Sequence, residues 1–273
     1  ERLEACQDGA GLAVRITEVL APAQDVHLSV QWRDQLLPTF RREVVANFDA
    51  RALQRALPGV TKVGRIGLSA RTDDGIGYLL VGSFERELRD EFDRVLEALR
   101  RLRDCKALVL DVRTNTGGDE LLAQRLAAWF VDEEVVYAAH RSCDPSAADG
   151  FGERQDRRLR GNDAAERFAG QIAVLTGPVV MSSAEAFLLM MKQSPRAVLV
   201  GETSYGSSGN PKPRTLLPGL VVMLPSWQAL RPDGSCFEGA GIAPHLHVAT
   251  QPVDFAEDDP VLAAALLRLR GNR

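Results

Sequence analysis

Between residues 76 and 200, short apolar runs alternate with longer segments whose apolar positions recur every three to four residues. Residues 77–81 (Gly-Tyr-Leu-Leu-Val), 107–110 (Ala-Leu-Val-Leu), 172–175 (Ile-Ala-Val-Leu) and 197–200 predict buried strands. Between them, Leu88, Phe92, Val95, Leu96, Leu99 and Leu102 share one helical face. Residues 121–130 predict a second helix, and residues 184–191 a third that is almost wholly apolar. This alternation implies an α/β fold with a parallel or mixed sheet and helices packed against it. The first sixty residues read differently. Leu12, Val14, Ile16, Val19 and Leu20 make a short helical pattern, and residues 25–30 a short strand. A helix over residues 50–57 stops at Pro58-Gly59. The division expected from this is a small helical cap over residues 1–60 and an α/β core over residues 61–273. Between Arg141 and Arg167 the periodicity disappears, which predicts a solvated loop or a mobile lid.

Composition narrows the function classes. The 273 residues are 45% hydrophobic, enough for a full core, and the 26% charged fraction excludes a disordered chain. A net charge of −4 gives no electrostatic reason to bind nucleic acid or an anionic membrane. No apolar run approaches the roughly 20 residues of a membrane-spanning helix. The sequence opens at Glu1 without a basic-then-apolar leader, as either a removed leader or a trimmed start would leave it. Cys6, Cys105, Cys143 and Cys236 form no CxxC pair, so no metal site is expected, while their even number permits disulfides.

Two strand-to-helix turns carry candidate chemistry. In the first, Asp111-Val112-Arg113-Thr114-Asn115-Thr116-Gly117-Gly118-Asp119, adjacent glycines allow close backbone approach and the following helix start presents outward amides. The plainer alternative is a tight turn with Asp119 as helix cap. The second, from Thr176 to Glu185, leaves a buried strand and enters the apolar helix through Met181-Ser182-Ser183. A serine there is placed like the nucleophile of a strand-turn-helix elbow, although the sequence is not GxSxG. Ser182 and Glu185 also match a capping box. Residues 201–208 have the glycine spacing of a phosphate loop but Ser207 where its Lys would stand, which argues against nucleotide binding.

In order, these segments resemble the S41 family of serine peptidases, which includes the C-terminal processing proteases and the tricorn-type core. LVLDVRTNTGG (108–118), SSAEAF (182–187), RAVLVGETSYG (196–206) and FEGAGIAP (237–244), preceded by Ile76-Gly77-Tyr78, follow the family's motifs in register. The resemblance implies a ClpP/crotonase-like core of repeated ββα units. It implies Ser182 as nucleophile, and an oxyanion hole from the Ser183 amide and one from Gly117-Gly118. It further implies peptide or unfolded-protein substrates, no cofactor, and weakly a site outside the bacterial cytoplasm.

The activating base is read from two branches of the family. Processing proteases carry a Lys at the position that is Ser207 here, and among the four lysines only Lys212 lies near that loop. The tricorn-like branch takes a His from a segment before the core, and Asp25-Val26-His27 resembles that stretch. Glu238, in FEGAGI, matches that branch's acidic residue. The favoured set is Ser182, His27 and Glu238, with Lys212 or Ser207 as alternative support. No segment reads as a PDZ domain. A catalytically degenerate peptide- or partner-binding protein is the alternative function.

Overall fold

The computed structural model describes residues 8–271, and its elements follow the apolar pattern through most of the chain. First come α1 (Gly9–Leu20), β1 (Ser29–Trp32), β2 (Gln35–Pro38), α2 (Ala50–Ala56), β3 (Thr61–Val63), β4 (Gly67–Arg71) and β5 (Ile76–Val81). Next are α3 (Arg89–Arg101), β6 (Ala107–Asp111), α4 (Glu120–Ala127), β7 (Val135–Cys143), β8 (Phe151–Leu159), β9 (Gln171–Thr176) and α5 (Ser183–Lys192). The last are β10 (Ala197–Gly201), β11 (Lys212–Leu217), β12 (Leu220–Leu224), β13 (Trp227–Leu230), β14 (Leu246–His247) and α6 (Pro260–Gly271). Asp8, Asp49 and Asp119 start α1, α2 and α4 by accepting first-turn amides. No described helix is long and apolar enough to cross a membrane.

The chain divides into two compact units. One comprises the chain up to Glu43 with His140–Gln155 and Ser207–Ala229. Its antiparallel sheet has the order β11-β12-β1-β2 and sets Val30 opposite Val222 and Leu37. Ala13 and Ile16 of α1 complete a small core with Val30, Leu220 and Val222. Residues 1–60 thus supply α1 and α2 where the pattern predicts helices, and also the β1–β2 hairpin. The strand expected over residues 25–30 begins at Ser29, after a turn closed by the Leu28 amide on the Asp25 carbonyl (3.2 Å).

The other unit comprises Val44–Ala139, Asp156–Gly206 and Leu230–Arg273. Its seven-stranded sheet runs β14-β10-β9-β6-β5-β4-β3, parallel from β14 to β5 and antiparallel beyond. β5, β6 and most of β9 are buried on both faces, so their sequences are continuous apolar runs rather than alternations. Tyr78, Leu80, Val109, Ala173 and Leu175 share a cluster with Leu53 of α2 and Val261, Leu262 and Ala265 of α6. Asp111 lies level with Leu175, so the turns after β6 and β9 leave the sheet side by side at its carboxyl end.

The aperiodic segment after Arg141 is in part strand rather than loop. It completes β7 and forms β8, neighbours in a three-stranded sheet with β13. Arg141 pins their connection, donating to the Gly152 carbonyl (2.9 Å) and to the Asp149 carboxylate (2.8 and 3.1 Å). The central residues of β8 are exposed, so this ribbon lacks the apolar alternation that marks a half-buried strand. Cys105, Cys143 and Cys236 are free thiols, and Cys6 lies outside the described residues.

Under the sheet's carboxyl end lies a buried ionic cluster. Arg113, Asp111 and Asp259 are all fully buried. The guanidinium donates to Asp111 Oδ2 and Asp259 Oδ2 at 2.7 Å each, to Asp259 Oδ1 at 2.9 Å and to the Asn47 carbonyl at 2.8 Å. Tyr78 donates its hydroxyl to Asp111 (2.8 Å), and Asp259 accepts the Leu262 amide in the first turn of α6 (3.0 Å). Burial alone would lower the Arg113 pKa, but the two carboxylates more than offset it, and the side chain stays charged. Arg113→Met would strand two carboxylates in the interior. A loss of about 3–5 kcal/mol, the cost of breaking a buried ion pair from one side, is expected in urea titrations.

Candidate active site

The turn after β9 holds its first helical residues under strain. Ser182 has φ +56° and ψ −127°, a conformation that side chains other than Gly rarely adopt. Helix capping does not require it, because the capping residues Asp8, Asp49 and Asp119 have φ of −144°, −133° and −83°. Such strain persists only where surrounding structure over-determines it, and it concentrates at functional sites.

Two contacts impose this conformation. Gly117, at φ +102°, comes so close that a Cβ there would lie 2.9 Å from Ser182 Cβ and 3.0 Å from the Ser183 nitrogen. Ser183 donates its hydroxyl to the Gly118 carbonyl (2.6 Å), tying the two turns together. From behind, Glu185 accepts the Ser182 amide at 3.2 Å, the glutamate half of a capping box. The fully buried Glu185 carboxylate also accepts the Ser204 hydroxyl (2.5 Å) and the Gly206 amide (2.7 Å). Ser204 Oγ in turn accepts the Ile242 amide (2.7 Å), and Gly206 accepts the Gly239 amide (2.8 Å). Glu185 therefore links the Ser182 turn to residues 204–206 and, through them, to the turn bearing the exposed Glu238.

The two glycines have different tasks. The Gly117 amide donates to Asn115 Oδ1 (2.8 Å), whereas the Gly118 and Ser183 amides have no hydrogen-bond partner among the described residues. Of the pair, Gly118 is therefore the glycine whose amide has no partner among the described residues.

In the other unit, His27 is nearly buried, with 11% of its side chain exposed. Its Nδ1 lies 2.7 Å from Ser207 Oγ, 3.4 Å from the Gly209 nitrogen and 3.6 Å from Asp25 Oδ1. Asp25 also accepts the His27 amide at 2.7 Å. Burial raises the Asp25 pKa, but hydrogen bonds from the His27 ring and amide outweigh it and hold the carboxyl below its ordinary value. Ser207, at the position expected for a Lys, thus touches His27, while Lys212 is exposed at the start of β11. The other histidines are engaged differently. His140 stacks on Trp227 with ring centroids 4.5 Å apart, His245 accepts the Leu199 amide at Nδ1 (2.9 Å), and His247 is exposed in β14.

Sequence reasoning missed two contributors. Asp25 was legible only as part of the stretch around His27, and Glu185 only as a cap. Its burial in a run of apolar residues was the available signal for a second duty, since a carboxylate is buried only when its oxygens are satisfied.

A strained serine at the head of a buried helix, faced by a glycine turn from the adjacent parallel strand, has the strand-turn-helix geometry of an elbow on an α/β core. The model of peptidase family S41 matches residues 75–248, and the chain belongs to that family. A solved structure of a candidate peptidase from Parabacteroides merdae superposes with a TM-score of 0.84 at 24% identity, over 98% of this chain and 85% of that one. The carboxy-terminal processing protease CtpB of Bacillus subtilis is 22% identical over 199 residues, 72% of this chain and 38% of the relative. A protein described as a CtpA-like serine protease of Staphylococcus aureus is 25% identical over 178 residues, 64% and 34% of the two chains. The matched region thus spans little more than a third of these curated relatives.

The strain at Ser182 has a measurable signature. Gly adopts positive φ freely and Ala does not, so Ser182→Gly should be more stable than Ser182→Ala by about 1 kcal/mol in denaturant titrations. That difference is what remains of roughly 1–3 kcal/mol of strain after glycine's greater unfolded-state entropy. An Ala variant as stable as the Gly variant would show that no strain is held there.

Proposed function

We propose that the chain is a serine endopeptidase acting on unstructured polypeptide, with residues 61–273 as its catalytic core. Ser182 Oγ attacks the scissile carbonyl while His27 takes its proton and then delivers it to the leaving amine. Water, deprotonated by the same imidazole, releases the acyl group from Ser182. The Ser183 and Gly118 amides stabilise the tetrahedral oxyanion, each at roughly 3–4 kcal/mol by analogy with single oxyanion-hole donors. Ser207 and Asp25 on the Nδ1 side of His27 favour Nε2 as the proton-transfer atom, and Glu238 supports the imidazolium. The chemistry requires no metal or organic cofactor.

The observation that carries this reading is the backbone of Ser182, held at φ +56° where a cap alone does not need it. Membership of a peptidase family and relatives named as proteases support it.

A fluorophosphonate probe should label the protein stoichiometrically at Ser182, and Ser182→Ala should abolish both labelling and cleavage of an unstructured peptide. Ser183→Ala should retain measurable activity, because its backbone amide remains. His27→Ala should lower kcat/KM by about 10² to 10⁴, the usual contribution of a general base, with Lys212→Ala close to wild type. A fully active His27→Ala enzyme would overturn the assignment of the base, and absence of labelling would overturn the enzyme reading in favour of a binding protein.

A further inference from the structure

The turn that presents the Gly118 amide continues into a cationic cavity. Its volume is about 750 Å³, and Asp119, next to Gly118, lines it. Phe84 donates its amide to the Gly117 carbonyl (3.0 Å) and accepts the Asp119 amide (2.6 Å), which places Arg86, two residues on, at the cavity. Five guanidiniums, from Arg86, Arg89, Arg125, Arg158 and Arg160, face one carboxylate, Asp119, in a chain whose net charge is −4.

Three of these arginines already have acidic neighbours. Arg86 pairs with Asp119 (2.9 Å), Arg125 with Asp93 (2.7 Å) and Arg158 with Glu134 (3.4 Å). Arg89 and Arg160 have no carboxylate partner among the described residues, and both are exposed. Part of the lining is apolar, with Leu122 and Leu159 buried and Leu121 61% exposed. A partly apolar lining, a rim of unneutralised guanidiniums and a position one residue from a free oxyanion donor together suit an extended peptide carrying a carboxylate.

We propose that this cavity is a substrate subsite selecting a peptide carboxylate, with Arg89 and Arg160 as the selecting residues; as a subsite it rests on Ser182 being the nucleophile. Guanidiniums bind carboxylates through paired N–H donors, and their exposure leaves both arginines open to a ligand. The carboxylate is that of an Asp or Glu side chain, and a chain terminus is the other source of the same chemistry.

The test uses peptides differing only by Glu or Gln at successive positions around the cleaved bond, each as free acid and as C-terminal amide. Cleavage is measured with the wild-type protein, and binding by fluorescence anisotropy with Ser182→Ala. The Glu peptide should be preferred about three- to tenfold at low salt, as for one or two partly exposed ion pairs, and less at high salt. The double variant Arg89→Ala/Arg160→Ala should bring the Glu/Gln ratio close to one, and Arg89→Glu/Arg160→Glu should turn it toward Lys peptides. Arg103→Ala, an exposed arginine elsewhere, serves as the control for net charge. A preference that follows the free acid rather than Glu assigns the site to the chain terminus. A ratio of one in the wild type, or a preference that survives both double variants, overturns the proposal while leaving the peptidase reading intact. Arginine-dependent Glu preference in binding without any cleavage by the wild type upholds a carboxylate-binding site at these arginines and overturns both the nucleophile and the site's role as a substrate subsite.

Discussion

The buried Arg113 guanidinium is the constraint around which the larger unit is organised. It grips the last residue of β6, the residue that starts α6 and the backbone of residue 47, so three segments distant in sequence meet at one planar cation. Each partner extends the fixation. Asn47 donates to the Thr176 carbonyl at the end of β9 (2.9 Å), and Tyr78 joins β5 to the same carboxylate. Both turns of the site therefore leave from strand ends held in register from below. Two carboxylates and one guanidinium remain buried because nearly every donor and acceptor among them is used.

On this base the site couples strain to satisfied polar groups. Ser182 keeps its unfavourable backbone because Gly117 presses on it from one side and Glu185 holds its amide from the other. Glu185 shares its oxygens with Ser204 and Gly206, so the serine turn and residues 204–206 are positioned by one buried group. In the smaller unit, Ser207 and Asp25 perform a comparable task for His27 at its Nδ1.

Much of the core was legible because short-range patterns determine it. Strands β5, β6 and most of β9 are buried on both faces, β10 is buried over its last three residues, and all four show as apolar runs, while α3 shows its buried face at helical spacing. The solvated strand β8 carries no such period and falls in the stretch expected to be a loop or a lid. The pairing of β1 with β12 joins segments about as far apart as Val30 and Val222, and local pattern carries no information about partners at that distance.

For the site, the sequence by itself determined the two strand-to-helix turns, the serine at the head of the helix and the resemblance that singled out His27 and Glu238. These depend on residue type and order, which a chain displays before it folds. Only the tertiary structure decided that Ser182 is strained, that Gly118 rather than Gly117 offers a free amide, and that Glu185 holds the serine turn. Each of those follows from distances of about 3 Å between segments remote in sequence, where one added methyl group or one diverted donor changes the outcome.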